Sequence, residues 1–215
     1  RQTSGVGSLS REGDPENLLL SRMRLRRLDA EALHDSVLRV TGRLDTTPFG
    51  IPVAVEEKPS GEVVAEATEK GWRRAVYLLK RRRMPVSALE AFDYPVMMPN
   101  CDERRHSTVV VQALQLMNSE LMRKHAGYLA GRLMDAAPAD PEKQVENLYL
   151  RVLTRYPRPD EKEGVLASLN TLGREWKAHL EDKNAAAPRG PAAQWSALSS
   201  VALTLLNSAE FLYID

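Results

Sequence analysis

Two Glu-x-x-His spacings are the patterns in this chain that could most readily bind a metal. Glu31 and His34 form one pair, and Glu103 and His106 form the other. On a helix this spacing puts a carboxylate and an imidazole on one face, as in di-iron carboxylate bundles. Glu31, however, falls in the first turn of a predicted helix, where the helix dipole alone favours an acid. We therefore predict no metal ligands and no catalytic residues.

Other catalytic signals are missing from the sequence. It contains no Gly-x-Ser-x-Gly elbow, phosphate loop or Gly-x-Gly-x-x-Gly turn. His125 and His179 lie on predicted helices, and we interpret them as packing residues. Aromatic residues make up 6% of the chain. Trp176 and Trp195 lie on predicted core stripes, so Trp72 is the tryptophan left for stacking on a sugar.

Basic residues and two helix ends supply the candidate interaction residues. The run 75–79 has basic residues on both sides and no acids among them. The simplest interpretation is that these basic residues are solvated or paired with the chain's own carboxylates, and the alternatives are a polyanion or an acidic partner protein. Positive charge near Cys101 could make its thiol reactive, although we prefer a buried, inert thiol. The candidate interaction residues are Arg81, Arg82, Arg83, Cys101, Arg104, Arg105, Asn118 and Asn207.

A short motif, Ala-Leu-x-Leu-x-Asn-Ser, occurs twice, at 113–119 and at 202–208. Both copies describe an apolar helix that stops at an Asn-Ser pair, which can close one helix and cap the next. Shared packing demands explain the repeat most simply. The functional alternative is that both Asn-Ser corners face one partner surface.

The composition is that of an ordinary globular protein. Apolar residues make up 43% and charged residues 27% of 215 residues, and the formal charge is +1. The near-zero charge disfavours nucleic-acid binding. No apolar run approaches the roughly 18 residues of a membrane span. The single cysteine excludes an intramolecular disulfide, a thiolate zinc site and a Cys-x-x-Cys-His haem attachment.

Helical periodicity dominates the chain. Asp29 as N-cap and Gly42 near the end mark a first helix, with Leu33, Val37, Val40 and Leu44 at helical spacing. Ser87 to Glu90 form a capping-box pattern for a short helix, and Asn207 and Glu210 form another candidate pair. Apolar stripes predict five more helices, whose predicted faces fall at 110–117, 122–133, 145–152, 165–180 and 195–205. Each stripe is expected to pack on another helix.

The fold class predicted is mainly α, a helical bundle with a small β-ribbon insertion. The ribbon is expected at about 50–80, from the short β-branched runs 51–55, 62–65 and 75–79. We predict a leading segment or linker at 1–20 and a single domain at 21–215, with a flexible connection at about 184–193. The first residues read as a piece of a longer chain.

Four segments are distinctive in residue type and order. They are 26–33 with 42–45, 73–77 with Leu89-x-x-Phe92-Asp93, 101–119, and 206–215. Together they resemble the planctomycete-specific C-terminal domain of unknown function found in large planctomycete cytochrome-c-like proteins. The resemblance covers nearly the whole chain. The chain departs from that family at Arg158, where a Thr or Ser cap is common, and between Cys101 and Ser107, where Cys-Pro-Arg-Arg is usual.

The resemblance implies an exported, extracytoplasmic multidomain protein, in the periplasm or at the cell surface. Any haem would belong to a missing upstream portion, and we expect no cofactor in this fragment. The preferred function is a noncatalytic interaction or scaffolding module that docks on upstream domains of the same protein or on another exported protein. The alternative is an accessory or catalytic part of an extracellular polysaccharide-degrading system, which rests on the lifestyle that the resemblance implies.

Overall fold

The structure is a computed structural model that describes residues 13–19, 23, 25–95, 101, 104, 107, 109–183 and 192–214. Within these residues the fold is mainly α with short two-stranded sheets, which confirms the predicted fold class. The helices are α1 (Ala30–Thr41), α2 (Ser87–Ala91), α3 (Val110–Asn118), α4 (Glu120–Ala136), α5 (Pro141–Val152), α6 (Pro159–Lys183), α7 (Ala192–Leu206) and α8 (Ala209–Leu212). The strands are β1 (Arg26–Arg27), β2 (Leu44–Asp45), β3 (Val55–Glu57), β4 (Val63–Ala65), β5 (Trp72–Arg73) and β6 (Tyr213–Ile214).

Helix α4 lies at the centre of the main core. It packs against α7 and α1, and α7 in turn packs against α6. Leu129 and Leu133 of α4 and Leu206 of α7 are completely buried. Full burial of a leucine stabilises the folded state by about 1.5–3 kcal/mol, so these contacts hold the helices together. The five long helices predicted from periodicity are confirmed.

The first helix ends where the sequence predicts. Gly42 adopts a left-handed conformation with φ of 71°, and its amide donates to the carbonyls at the end of α1. A Cβ at this position would lie 1.9 Å from the guanidinium of Arg132, so a side chain here requires both a strained backbone and a shift of Arg132. Leu44, predicted on the same helical face, instead lies in β2. That prediction is wrong because the chain has already left the helix at Gly42.

The β elements are smaller than predicted. Strands β3 and β4 form an antiparallel hairpin inside the predicted ribbon. Strand β2 pairs in parallel with β5, and β1 pairs with β6 near the C-terminus. Residues Ala75–Tyr77 form a 3-10 turn, not a strand. The reason is Asp35 of α1, whose carboxylate accepts the Ala75 amide proton at 2.8 Å and pairs with Arg74 at 2.7 Å.

Helix caps differ from two predictions. Ser87 does not cap α2, because its hydroxyl accepts a hydrogen bond from the Val63 amide and joins α2 to β4. Ser208, not Asn207, caps α8 by accepting from the Phe211 amide. Glu210 pairs with Arg155.

Arg155 connects three elements near the C-terminus. Its guanidinium forms paired hydrogen bonds of 2.7 and 2.8 Å to Glu161 of α6, and two more of 2.7 and 2.8 Å to Glu210 of α8. Helix α8 runs directly into β6, the partner of β1. The Arg155 cluster therefore fixes the segment on which β1 rests.

Some predictions fall on residues that the structure does not describe. The predicted leading segment lies mostly there, and so does the predicted connection at 184–193, of which Ala192 and Ala193 form the first turn of α7. Across the described ranges, no helix is long and apolar enough to cross a membrane.

Candidate interaction surface

Helix α3 presents its apolar stripe to solvent. Val110 is 75% exposed, Leu114 50% and Met117 58%, and Ala113 is exposed as well. The sequence predicted that this stripe would pack on another helix, and that prediction is wrong. The residues of α3 that are buried are Gln112 and Leu116.

Polar contacts explain the orientation of α3. The Gln112 side-chain amide donates to the Ser107 carbonyl at 3.2 Å and to the Ser107 hydroxyl at 3.1 Å. Ser107 in turn donates its backbone amide and its hydroxyl to the carboxylate of Asp93, each at 2.8 Å. Arg27 of β1, buried at 6% exposure, pairs with the same carboxylate at 2.7 Å. The polar side of α3 is therefore anchored, and its apolar side is left outward.

The other end of α3 is also held by polar groups. The Ser119 hydroxyl caps α4 by accepting from the Met122 amide, and it donates to Glu62 at 3.0 Å. The Gln115 amide donates to the same carboxylate at 3.3 Å. Both ends of the helix are thus fixed against the body of the protein, and the outward face keeps one orientation.

The two copies of the repeated motif lie in different environments. In α7, Ala202 is completely buried and Leu205 is 8% exposed. In α3, the matching Ala113 is exposed, whereas the matching Leu116 is buried. The expected Asn-Ser corners exist, since each Ser caps the following helix. Asn118 is exposed and Asn207 half-buried. The repeat therefore encodes similar corners but not similar packing.

The basic residues 81–83 lie on an exposed turn beside a groove. A β-bridge between Arg81 and Met84 closes the turn. The groove has a volume of about 250 Å³ and apolar walls that include Leu78, Val86 and Tyr94. Arg81 and Arg82 also line it. None of the three arginines forms an ion pair with the described residues, whereas Arg74, on the other side of the run 75–79, pairs with Asp35 of the chain itself.

Helix α2 joins this groove to α3. Leu89 and Glu90 of α2 line the groove, and α2 packs against α3. We call the apolar stripe of α3 (Val110, Leu114 and Met117) and the basic groove together the α2–α3 surface. It combines apolar side chains with positive charge.

The predicted residues 101–105 have another role where the structure describes them. Arg104 forms two hydrogen bonds to Glu31 at the start of α1, one of them at 2.8 Å, and lies 3.8 Å from Asp29. The Arg104 guanidinium lowers the pKa of Glu31. Cys101 is exposed, contrary to the expected burial. Arg105 lies outside the described residues.

Of the two Glu-x-x-His pairs, the structure describes Glu31 and His34, whose side chains contact different groups. Glu31 is engaged by Arg104, and the Nε2 atom of His34 lies 3.3 Å from the Arg73 carbonyl oxygen. Glu103 and His106 lie outside the part of the chain that the structure describes. Among the residues it does describe, no three acidic, histidine or cysteine side chains gather at one point.

The sequence did not predict the loop at 47–51, which Arg73 holds by hydrogen bonds. This buried guanidinium donates to the carbonyls of Thr47, Phe49 and Ile51 at 2.8, 2.6 and 3.2 Å, and it stacks 4.0 Å from the centre of the Tyr77 ring. Phe49 and Ile51 are exposed at the tip. The Pro and Gly spacing of 48–52 indicated a turn, but nothing in it pointed to a distant arginine as its anchor.

Trp72 is not free for binding a sugar. It is 4% exposed and contacts His125 edge-to-face, with ring centres 4.8 Å apart. This burial corrects the sequence interpretation and removes the tryptophan on which a sugar platform depended. His125 is buried too, whereas His179 is exposed beside Trp176.

Comparison with models of known protein families identifies the family to which the chain belongs. A family model described as "Protein of unknown function (DUF1553)" matches residues 1–169. The chain belongs to the DUF1553 family. No curated protein and no solved structure matches it.

The matched part of this DUF1553 chain contains the whole α2–α3 surface and the Arg73 loop. The match confirms the resemblance to a domain of unknown function. It ends at residue 169, so the closing segment 206–215, on which the resemblance also rested, lies beyond it.

Proposed function

We propose that this DUF1553 chain is a noncatalytic interaction module of a larger exported multidomain protein, and that its α2–α3 surface binds an amphipathic segment with acidic residues. The segment belongs to an upstream domain of the same protein or to another exported protein. Any haem of the assembly belongs to the upstream portion. The exported setting and the cytochrome-c-like context rest on the sequence resemblance.

The observation that carries the proposal is the outward apolar stripe of α3. A stripe on a helix that is anchored by its polar side cannot turn inward without breaking the contacts of Gln112 and Ser119. Contiguous exposed apolar side chains on a folded domain mark interaction sites more often than scattered ones do. An amphipathic helix laid against such a stripe is a common way to cover it.

The charge of the neighbouring groove indicates the chemistry of the partner. Arg81 and Arg82 are exposed and unpaired among the described residues, and they lie beside apolar walls. Acidic residues flanking an apolar partner face would meet them and set the orientation of binding. The groove then contributes specificity, and the stripe contributes most of the affinity.

The gain from covering the stripe can be worked out roughly. Val110, Leu114 and Met117 are each at least half exposed. Burying the exposed part of each gives about 1 kcal/mol, so the three give about 3 kcal/mol, or about a hundredfold in affinity. Loss of the stripe should therefore be easy to measure.

A binding assay with the upstream part of the same protein tests the proposal. The wild-type chain should retain that part on a column, and the double variant Leu114→Glu, Met117→Glu, which removes two of the three stripe residues, should bind at least about thirtyfold more weakly. The control is Val76→Glu, which places one such charge at a residue that is 71% exposed and does not line the groove. Equal binding by wild type and the double variant would exclude α3 as the site.

A second pair of variants tests the groove. Arg81→Glu, Arg82→Glu should weaken binding and reduce its dependence on salt concentration, because the charge attraction is lost. If these substitutions leave both the affinity and the salt dependence unchanged, the partner is not acidic and the groove is not part of the site.

A further inference from the structure

A small cavity lies between α1, α2, α3 and α4, and Leu89 is the one lining residue that it shares with the groove of the α2–α3 surface. Its volume is about 50 Å³, enough for a single ion or a few water-sized ligands. Its wall is mostly apolar, with two imidazoles and a thioether among the lining side chains. The lining includes His34, Leu38, Phe92, Leu116, Met122 and His125.

His125 has an unsatisfied imidazole. It is 1% exposed, and neither of its ring nitrogens has a hydrogen-bond partner in the described structure. A buried polar group without a partner costs about 1–3 kcal/mol. Native proteins rarely retain such a group without a reason, and a ligand that it binds is one such reason.

His34 is oriented by the backbone. Its Nε2 atom lies 3.3 Å from the Arg73 carbonyl oxygen, and a carbonyl oxygen can only accept a hydrogen bond. Nε2 therefore carries the proton, and Nδ1 keeps its lone pair. A histidine whose second nitrogen donates to a backbone carbonyl is arranged as metal-binding histidines usually are.

The charges around the two imidazoles argue against a divalent ion. Arg43 and Lys124 both lie over the Trp72 ring, against which His125 packs. The described cavity lining contains no carboxylate to balance a charge of +2.

A soft monovalent ion fits this donor set. Cu(I) accepts imidazole nitrogen and thioether sulfur, needs no anionic ligand and brings a single positive charge. Met122 supplies the thioether from α4, three residues before His125. His34 is half-buried, so the cavity approaches the surface on its side.

We propose that His34, Met122 and His125 bind one Cu(I) ion in this cavity. The site is separate from the α2–α3 surface, and it does not depend on the proposed interaction function.

The test is an anaerobic Cu(I) titration against a chromophoric Cu(I) chelator. Cys101 is exposed and could bind copper itself, so every variant carries Cys101→Ser. This background should bind one Cu(I) per chain. His125→Leu and His34→Leu should each lower the affinity at least about a hundredfold, and Met122→Leu about tenfold. His179→Leu, which removes an exposed imidazole, should leave the affinity unchanged.

X-ray absorption of the loaded protein supplies a second readout. It should show nitrogen ligands and one sulfur ligand, and the sulfur should disappear in Met122→Leu. His125→Leu should fold with a thermal midpoint no lower than wild type, since it removes an unsatisfied polar group from the core. Failure of the folded Cys101→Ser protein to bind Cu(I), or undiminished binding by folded His125→Leu, would overturn the proposal. Tighter binding of Zn(II) than of Cu(I) would overturn it as well.

Discussion

Substitution of Glu161 by Gln removes one of the two carboxylates that pair with Arg155. The Glu161 carboxylate receives paired hydrogen bonds from Arg155 and a further one from the Arg158 amide. These donors, with Arg155 first, lower the pKa of Glu161 to about 2 from an ordinary value of 4.5. Gln keeps the shape of the side chain but loses the charge.

The magnitude follows from the lowered pKa. A shift of 2.5 units corresponds to about 3.4 kcal/mol as an upper limit. Solvent screens the pair, because the Arg155 side chain is 32% exposed, so we expect a loss of about 1–2 kcal/mol at pH 7. A lowered acid pKa stabilises the fold above pH 4.5 and ceases to do so as pH falls through 2. By pH 3.5 the difference between variant and wild type should shrink to roughly 60% of its value at pH 7.

Urea unfolding at pH 7 and pH 3.5, followed by circular dichroism, measures both effects. Glu163→Gln is the matched control, because Glu163 is an exposed glutamate two residues further along α6. It should change the free energy of unfolding by less than about 0.5 kcal/mol. A Glu161→Gln effect that equals the control, or that does not diminish at pH 3.5, would refute this reasoning.

Two other substitutions test local features of the fold. Gly42→Ala should lower the free energy of unfolding by about 1–2 kcal/mol in urea denaturation, because alanine is strained in the left-handed conformation and its Cβ would displace Arg132. If Gly42→Ala leaves the free energy of unfolding unchanged, α1 does not require a glycine after its last turn. The pKa of Asp45 is lowered to about 2, first by the hydroxyl and amide of Thr47 and also by Thr68. The stability that Asp45 contributes is present above about pH 4 and lost as pH falls towards 2. Asp45→Asn should therefore lose less stability than the wild type between about pH 4 and pH 2. An acid-unfolding curve identical to that of the wild type would contradict this role of Asp45.

Helices could be predicted from the sequence because their signals are local. The end of α1 follows from Gly42 and the start of α5 from Asp140-Pro141, each read from neighbouring residues. The 3-10 turn at Ala75–Tyr77 could not be predicted in this way. It depends on Asp35, which lies 40 residues away in sequence and takes the amide proton that a strand would have used.

The orientation of α3 could not be predicted for a related reason. An apolar stripe shows that a helix has two unlike faces, but it does not tell which face the rest of the chain covers. That choice depends on Gln112 and Ser119, whose partners Ser107 and Glu62 come from other segments. The candidate cavity depends likewise on His34 and His125, which only the folded chain brings together.

The account depends most on the outward stripe of α3, and a single double variant tests it. For Leu114→Glu, Met117→Glu, both the free energy of unfolding and the affinity for the upstream part of the protein should be measured on the same preparation. We expect the free energy of unfolding to change by less than about 0.5 kcal/mol per site, because both side chains are at least half exposed, while binding weakens at least about thirtyfold. A fall in stability of more than about 2 kcal/mol with unchanged binding would show that α3 packs within its own chain and would contradict the account.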